Sequence, residues 1–186
     1  MATGLINKSA RSGRAWRRRF MRNEDGATAI EFALLSFPFF LIVAGILQTS
    51  VIFLASQVLE SAVNDAARNI RTGQFNAATT IDTFRASICD RLYNLYADCS
   101  GLHVQVTEVL NFQSATVVPP VDPTCTENCD WLVPQVWQPG GSRSIVLGQV
   151  HYRYPAYLQA GALGMSNLGD GRRLIGPATV FQNEPF

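Results

Sequence analysis

The feature that most constrains this chain is the run from Ala27 to Ala55, ATAIEFALLSFPFFLIVAGILQTSVIFLA, with a basic cluster directly before it. From Phe32 to Leu47 the only polar side chain is Ser36. As a helix, Ala27–Leu54 would be about 42 Å long, enough to cross a hydrocarbon core of ~30 Å. A buried core helix is the competing reading, and the basic cluster argues against it. Residues 1–26 hold seven Lys and Arg against Glu24 and Asp25, a net of +5, whereas residues 27–186 carry −4. The overall charge of +1 conceals that asymmetry. The positive-inside rule keeps the cluster in the cytoplasm and places the chain beyond the run outside, in the periplasm of a Gram-negative cell. A near-neutral chain also lacks the basic field of a nucleic-acid binder. With 47% apolar and 16% charged residues it is not a disordered solvating chain either.

Two residues inside the run stand out. Pro38 has no backbone N–H, leaves the carbonyl four residues earlier unpaired and predicts a kink; membrane helices tolerate this where neighbours compensate. Glu31 is an acid inside the run, and intramembrane ionisable residues mark function by default, but it lies near the cytoplasmic end, where it could reach the headgroups. An acid that only sits at the headgroup edge is the plainer alternative.

The segment around Glu31 reads Arg22-Asn-Glu-Asp-Gly26-Ala27-Thr28-Ala29-Ile30-Glu31-Phe32. A basic leader ends in Gly, and the fifth residue of the apolar stretch is Glu. This resembles the class III signal of type IV pilins and pseudopilins. The resemblance implies a membrane aspartyl peptidase that cuts between Gly26 and Ala27 and an apolar stretch retained as anchor and polymer core; a secretory signal would be lost. Cleavage would leave an ammonium on Ala27. Glu31, one helical turn on, is placed to pair with its own terminus or, as in the pilins it resembles, with that of an adjacent subunit. In low dielectric, leaving either charge alone is strongly penalised, so the pair would set register more than stability.

The run continues into SAVNDAARNIRTGQ, and Gly26 to about Gln74 then resembles the TadE/TadG-like family of the tight-adherence (Tad) pilus. The shared pieces are the Gly-Ala-x-x-x-Glu-Phe-Ala start, a Pro in the membrane helix, and Ala66, Ala67, Arg68, Thr72 and Gly73. The closing Phe181-Gln-Asn-Glu-Pro-Phe186 fits more weakly. Residues 75–180 carry no diagnostic motif.

Beyond the run, Val58, Leu59, Ala62, Val63, Ala66, Ala67 and Ile70 follow helical spacing, with Glu60, Asn64, Asp65, Arg68 and Arg71 between them. The helix is expected to continue to about Arg71 and end at Gly73. A second helix is expected from about Thr80 to Tyr96, with Ile81, Phe84, Ile88, Leu92 and Leu95 on one face and Thr79 or Thr80 as N-cap. Leu102, Val104 and Val106 alternate with polar residues as a strand does. Ser144–Tyr154 is a second strand ending at Pro155, and Ala178–Gln182 a weaker third. Residues 113–143, with five prolines and Gly140-Gly141, form a long loop. Residues 156–176 are Gly-rich and hold at most a short helix.

Cys89, Cys99, Cys125 and Cys129 fall on the outer side and read as two disulfides. Of three pairings the local ones, Cys89–Cys99 and Cys125–Cys129, are favoured, with Cys99–Cys125 a competitor. A metal site on Cys125, Cys129 and His103 or His151 lacks a second cysteine pair with finger-like spacing. Each His falls on an expected strand as a surface or hydrogen-bonded residue. Gly164-Met-Ser166-Asn-Leu-Gly169 has one residue too many for a nucleophile elbow. Arg17-Arg18-Arg19 lacks the uninterrupted apolar region of a twin-Arg signal. P-loop, zincin and dinucleotide motifs are missing.

The expected fold class is α+β and type IV pilin-like: a long N-terminal helix, first transmembrane then amphipathic, with a small antiparallel sheet domain and disulfides. The expected segments are a leader at 1–26, a membrane stretch at 27–55, an amphipathic periplasmic stretch at 56–73 and a globular domain at 74–186. The resemblance implies a non-enzymatic minor pilin or pseudopilin of a Tad pilus, acting in adhesion and biofilm formation. Its partners would be other pilin subunits, the assembly platform, the prepilin peptidase and membrane lipid, with no cofactor. The alternative is a bitopic inner-membrane protein whose periplasmic domain binds a ligand or protein and never polymerises.

Overall fold

The computed structural model describes residues 24–96, 99–122, 124–127, 129–158 and 165–186. Helix α1, Glu24–Arg71, runs for 48 residues with Pro38 inside it. Its residues divide between two compact units, one ending at Ala44 and the other running from Gly45 to Phe186.

In the first unit the apolar side chains point outward all round. Ile30, Phe32, Leu34, Leu35, Phe37, Phe39, Phe40 and Ile42 are between 58% and 72% exposed. A helix apolar on every face has no solvent side, and belongs in lipid or among other helices. Ser36 satisfies its hydroxyl on the Ala33 carbonyl at 3.2 Å.

In the second unit the same helix becomes one-sided. Ile52, Ala55, Leu59, Ala62, Val63, Ala66 and Ile70 are buried at three- and four-residue spacing, the stripe an amphipathic helix turns to a core. Ile52 is the first helix residue in the main core. The helix ends where the chain needs a left-handed residue. Gly73 has φ +76° and its N–H donates to the Ile70 carbonyl. Arg68 and Arg71 occupy the last turn, where the helix dipole favours cations.

Helix α2, Ile81–Cys89, is capped by Thr80, whose side chain accepts from the Thr83 N–H. It is shorter than the expected span to Tyr96. After Cys89 the chain tightens into turns in which Arg91 bonds Ile88, Leu92 bonds Cys89 and Leu95 bonds Leu92. Such i→i+3 turns keep Ile88, Leu92 and Tyr96 on the buried side, so the apolar spacing outlasts the helix itself. The left-handed Tyr93 and Asn94, at φ +48° and +57°, then turn the chain.

Among the described residues five strands follow: β1 His103–Val109, β2 Val136–Trp137, β3 Ile145–Pro155, β4 Arg172–Ile175 and β5 Ala178–Gln182. The spatial order is β2-β1-β3-β4, with β5 also on β3. β1 and β3 are antiparallel in the register His103↔His151 to Val109↔Ile145. β4 and β5 both pair antiparallel with β3, as Tyr152↔Ile175 and Gln149↔Ala178. The two pairings share one register, so β4 and β5 act as a single edge strand interrupted at Gly176-Pro177. Pro177 cannot donate to the ladder, but its carbonyl still accepts from Val150.

The architecture is α+β with a pilin-like layout, as expected, but the sheet is mixed and not purely antiparallel. The short β2 joins β1 in parallel, Gln105↔Val136 and Val106↔Trp137. A crossover through the long loop delivers it, and a parallel neighbour needs that length of connection. The expected short helix in 156–176 is not seen among the described residues there, which instead hold a turn and β4.

Alternation gives the sheet two faces. Val104, Val106, Val146, Val150 and Tyr152 join the α1 stripe, Phe84 and Ile88 in the main core. The other face carries His103, Gln105, Gln149 and His151, all buried. It is covered by the segment beyond Val118, in which Val121 bridges to Trp131. Val121, Cys129 and Leu168 make a second small core there, with Trp131, Cys125 and Leu174 against it. The long loop is thus largely a built lid for one face of the sheet.

Candidate functional site

The residues singled out in the sequence fall in three places. Gly26, Glu31 and Pro38 lie on α1 and are exposed. A Cβ added at Gly26 would meet nothing within 4 Å. Ala27 is helical, and its side chain and residues 1–23, which include most of the expected leader, lie outside what is described. The Gly-Ala junction and Glu31 thus share one helix, just over a turn apart at 3.6 residues per turn.

The second place is the far end of the same helix, where two sequence elements more than a hundred residues apart meet. The Phe186 ring lies over Gly73, so close that a Cβ there would stand 2.7 Å from the ring. The Glu184 carboxylate pairs with the Arg71 guanidinium at 3.6 Å, and the Glu184 N–H donates to the Arg71 carbonyl at 2.9 Å. Asn183 is buried and donates from its amide to the Pro139 and Gly141 carbonyls, both at 2.9 Å. The Arg71-Thr72-Gly73 end of the helix and the closing Phe181–Phe186 segment therefore form one clasp. It supplies a partner to the Arg71 carbonyl, while the carbonyls of Arg68, Asn69 and Ile70 accept from the N–H groups of Thr72, Phe75 and Gly73. The sequence carried both halves as separate fragments; only the fold joins them.

The third place is the outer sheet face. Cys89 is bonded to Cys99 and Cys125 to Cys129, the two local pairings. With Cys125 and Cys129 bound to each other, neither is a thiolate for a metal. Among the described residues no group of three or more His, Cys, Asp or Glu side chains is arranged to hold a metal ion.

The histidines correct the expectation of surface or fully hydrogen-bonded positions: both are buried, one opposite the other on β1 and β3. His103 stacks on Trp131 at 4.3 Å, and the Arg153 guanidinium also lies over the Trp131 ring, 4.6 Å from its centroid. His103 Nε2 and His151 Nδ1 have no hydrogen-bond partner. Burial, and then His103, hold the His151 pKa down at about 4. Burial also lowers that of His103, with Arg153 and Arg85 adding to the effect and a bond to the Val133 backbone opposing it. Both rings are thus held neutral. The alternation of His103 and His151 with valines gave no hint of burial, because the loop that covers them is remote in sequence.

On the core side, Tyr96 reaches α1. Its hydroxyl donates to the Ala55 carbonyl at 2.8 Å, and its ring meets Tyr152 and Tyr154 edge-on at 4.7 and 5.5 Å. Burial, with Tyr154 and Tyr152 adding to it, pushes the Tyr96 phenol well above its ordinary range and keeps the donor proton in place.

Fold and site together define a class: among the described residues, one helix is long and apolar enough to cross a membrane, and its second half is built into a disulfide-bonded α+β unit. The family model of TadE-like proteins matches residues 26–68. The match opens at the Gly-Ala junction, includes Glu31 and Pro38, and closes at Arg68, one turn before the clasp. No curated protein and no solved structure matches the chain.

Proposed function

We propose that this chain is a minor pilin, or pseudopilin, that takes part in assembling a Tad pilus for adhesion and biofilm formation. The observation that carries the reading is the match of residues 26–68 to TadE-like proteins on a helix whose first unit exposes apolar side chains all round. Residues 1–26 are the cytoplasmic leader and 27–55 the membrane stretch. Residues 56–73 are the amphipathic continuation and 74–186 the periplasmic domain. A prepilin peptidase cuts between Gly26 and Ala27. The freed ammonium of Ala27 pairs with Glu31 of a neighbouring pilin subunit and fixes the axial register of the packed helices. Pro38 supplies local adaptability to that packing. The assembly platform and other pilin subunits are the partners. The role is structural, and the chemistry it needs is charge pairing, not catalysis.

Processing is tested by sequencing the N-terminus of the membrane-bound protein from cells with and without the peptidase. The expected result is an Ala27 start in the first and an intact leader in the second. An intact leader in both overturns the reading.

A further inference from the structure

At the foot of the second unit, the chain leaving β3 returns to α1. The Gln48 side-chain amide donates to the Leu158 carbonyl at 3.2 Å and accepts the Leu158 N–H at 2.5 Å. One turn earlier, Gly45 leaves room for the Leu158 side chain, whose Cδ2 lies 3.9 Å from where a Cβ would stand. Both backbone polar groups of Leu158 are therefore satisfied by one side chain, which is what a backbone needs where water is scarce.

The neighbouring stretch of α1 suits the same surroundings. Ile46, Leu47, Val51, Phe53 and Leu54 are exposed. The hydroxyls of Thr49, Ser50 and Ser56 each turn back to the carbonyl four residues earlier, at 2.8, 2.8 and 2.9 Å, so they present little unmet polarity. No charged residue occurs between Glu31 and Glu60. A hydrocarbon core of ~30 Å takes about twenty helical residues, which counted from Glu31 ends near position 51. Gln48, and with it Leu158, falls inside that count. Tyr157, at 86% exposure, presents an aromatic ring with a polar tip beside it, the side-chain type enriched at headgroup level.

We propose that the Ala156–Leu158 segment is a membrane-interface foot. It seats the globular unit in the outer leaflet, with Tyr157 at the headgroups and Leu158 at the edge of the acyl layer, and phospholipid is the occupant of the exposed surface around it. The proposal rests on α1 spanning the membrane.

The test uses the full chain reconstituted at low copy number in phosphatidylethanolamine/phosphatidylglycerol liposomes, with acyl chains plain, brominated near the headgroup, or brominated near the chain end, because position 40 falls near the bilayer centre when counted from Glu31. Three variants, Tyr157→Trp, Phe40→Trp and Leu110→Trp, are each read as the fluorescence added to that of the parent chain. Leu110 is 95% exposed and succeeds β1 at the end of the sheet opposite Pro155. The expected result is blue-shifted emission quenched about twofold or more at position 157 by lipid brominated near the headgroup and at position 40 by lipid brominated near the chain end, and no quenching at 110 by either. Quenching at 40 without quenching at 157 overturns the foot while leaving the span. A blue-shifted but unquenched signal at 157 means that protein covers it, and overturns the proposal too. If position 40 is not quenched, the span and the foot fall together. Adding Gln48→Ala to the Tyr157→Trp chain is expected to lower the quenching at 157 and leave that of a matched Phe40→Trp chain unchanged. An unchanged signal at 157 overturns the role given to Gln48.

Discussion

Phe37 and Leu59 are both large apolar side chains on the same helix, yet Phe37 is 72% exposed and Leu59 is fully buried. Composition does not separate them. What differs is the partner: from Ile52 onward the helix has a sheet and a second helix to pack on, whereas the stretch before Gly45 lies in a unit with no such partner among the described residues. The first stretch keeps its apolar surface for lipid or for neighbouring helices. The second commits its stripe to its own fold. The proposed function, an anchored monomer that becomes a polymer subunit, would need both uses on one helix.

The largest effect that would break this comparison is at Glu31. The Glu31→Ala chain is expected to insert in the membrane at normal level but to be lost from the assembled state, read as its absence from sheared pilus fractions and from crosslinked complexes with other pilins. Normal assembly by that variant would reject the role given to Glu31, and absence of the parent chain from those fractions would favour a membrane-anchored binding protein that never polymerises.

Next is a matched pair on the helix. Leu59→Ala should lower the stability of the globular unit by ~2–5 kcal/mol, the usual range for deleting a buried leucine. Leu47→Ala should change it by less than ~0.5 kcal/mol. Denaturant unfolding of the full chain in mild detergent, monitored by the tryptophan signal of Trp131 and Trp137, distinguishes the two. Equal losses would mean that the two stretches are not used differently.

Acid sharpens the comparison between the two sheet faces. The His151 pKa lies at about 4 in the fold against 6.5 for an ordinary histidine. The unfolded chain therefore binds protons first, and stability is full above about pH 6.5 and falls as the pH drops toward 4. At ~1.4 kcal/mol per pH unit per group, the loss is on the order of 3 kcal/mol, with His103 adding in the same direction. His151→Phe should flatten that dependence, while a change on the apolar face, such as Val150→Ala, should lower stability and leave the slope as it was. A slope unchanged by His151→Phe would reject the assignment.

The smallest expected effect is at the clasp. Gly73→Ala places a Cβ at φ +76° and against the Phe186 ring, which should lower stability by ~1–2 kcal/mol. Adding Phe186→Ala should recover the steric part only. Thermal melts of the single and double variants separate the ring clash from the backbone strain.

Much of this was legible in the residues. The 3.6-residue spacing from Val58 to Ile70, the Gly73 stop, the Thr80 cap, the alternation in β1 and β3, and the local cysteine pairs all obey rules that act over a few residues. The features not legible there act over long separations. β4, Arg-Arg-Leu-Ile, has no strand-like alternation, and it is a strand because β3 extends its register past Pro177. β2 is two residues long and exists only because β1 offers an edge. The helix expected to reach Tyr96 stops at Cys89 because i→i+3 turns preserve the same buried face, so the pattern could not tell them apart. In the candidate site, Gly26, Ala27, Glu31 and Pro38 were visible as a motif. The burial of His103 and His151 was not.

The sequence by itself determined the long apolar run, the basic cluster before it, the acid at position 31 and the segment that matches TadE-like proteins, because hydropathy, charge and motif spacing are properties of neighbouring residues. Only the tertiary structure decided that Phe186 closes on Gly73, that His151 lies against Gly176 with no room for a Cβ, and that Gln48 holds Leu158. Those outcomes depend on which surfaces are brought within a few ångströms by the sheet register and the crossover loop, and no local pattern encodes that proximity.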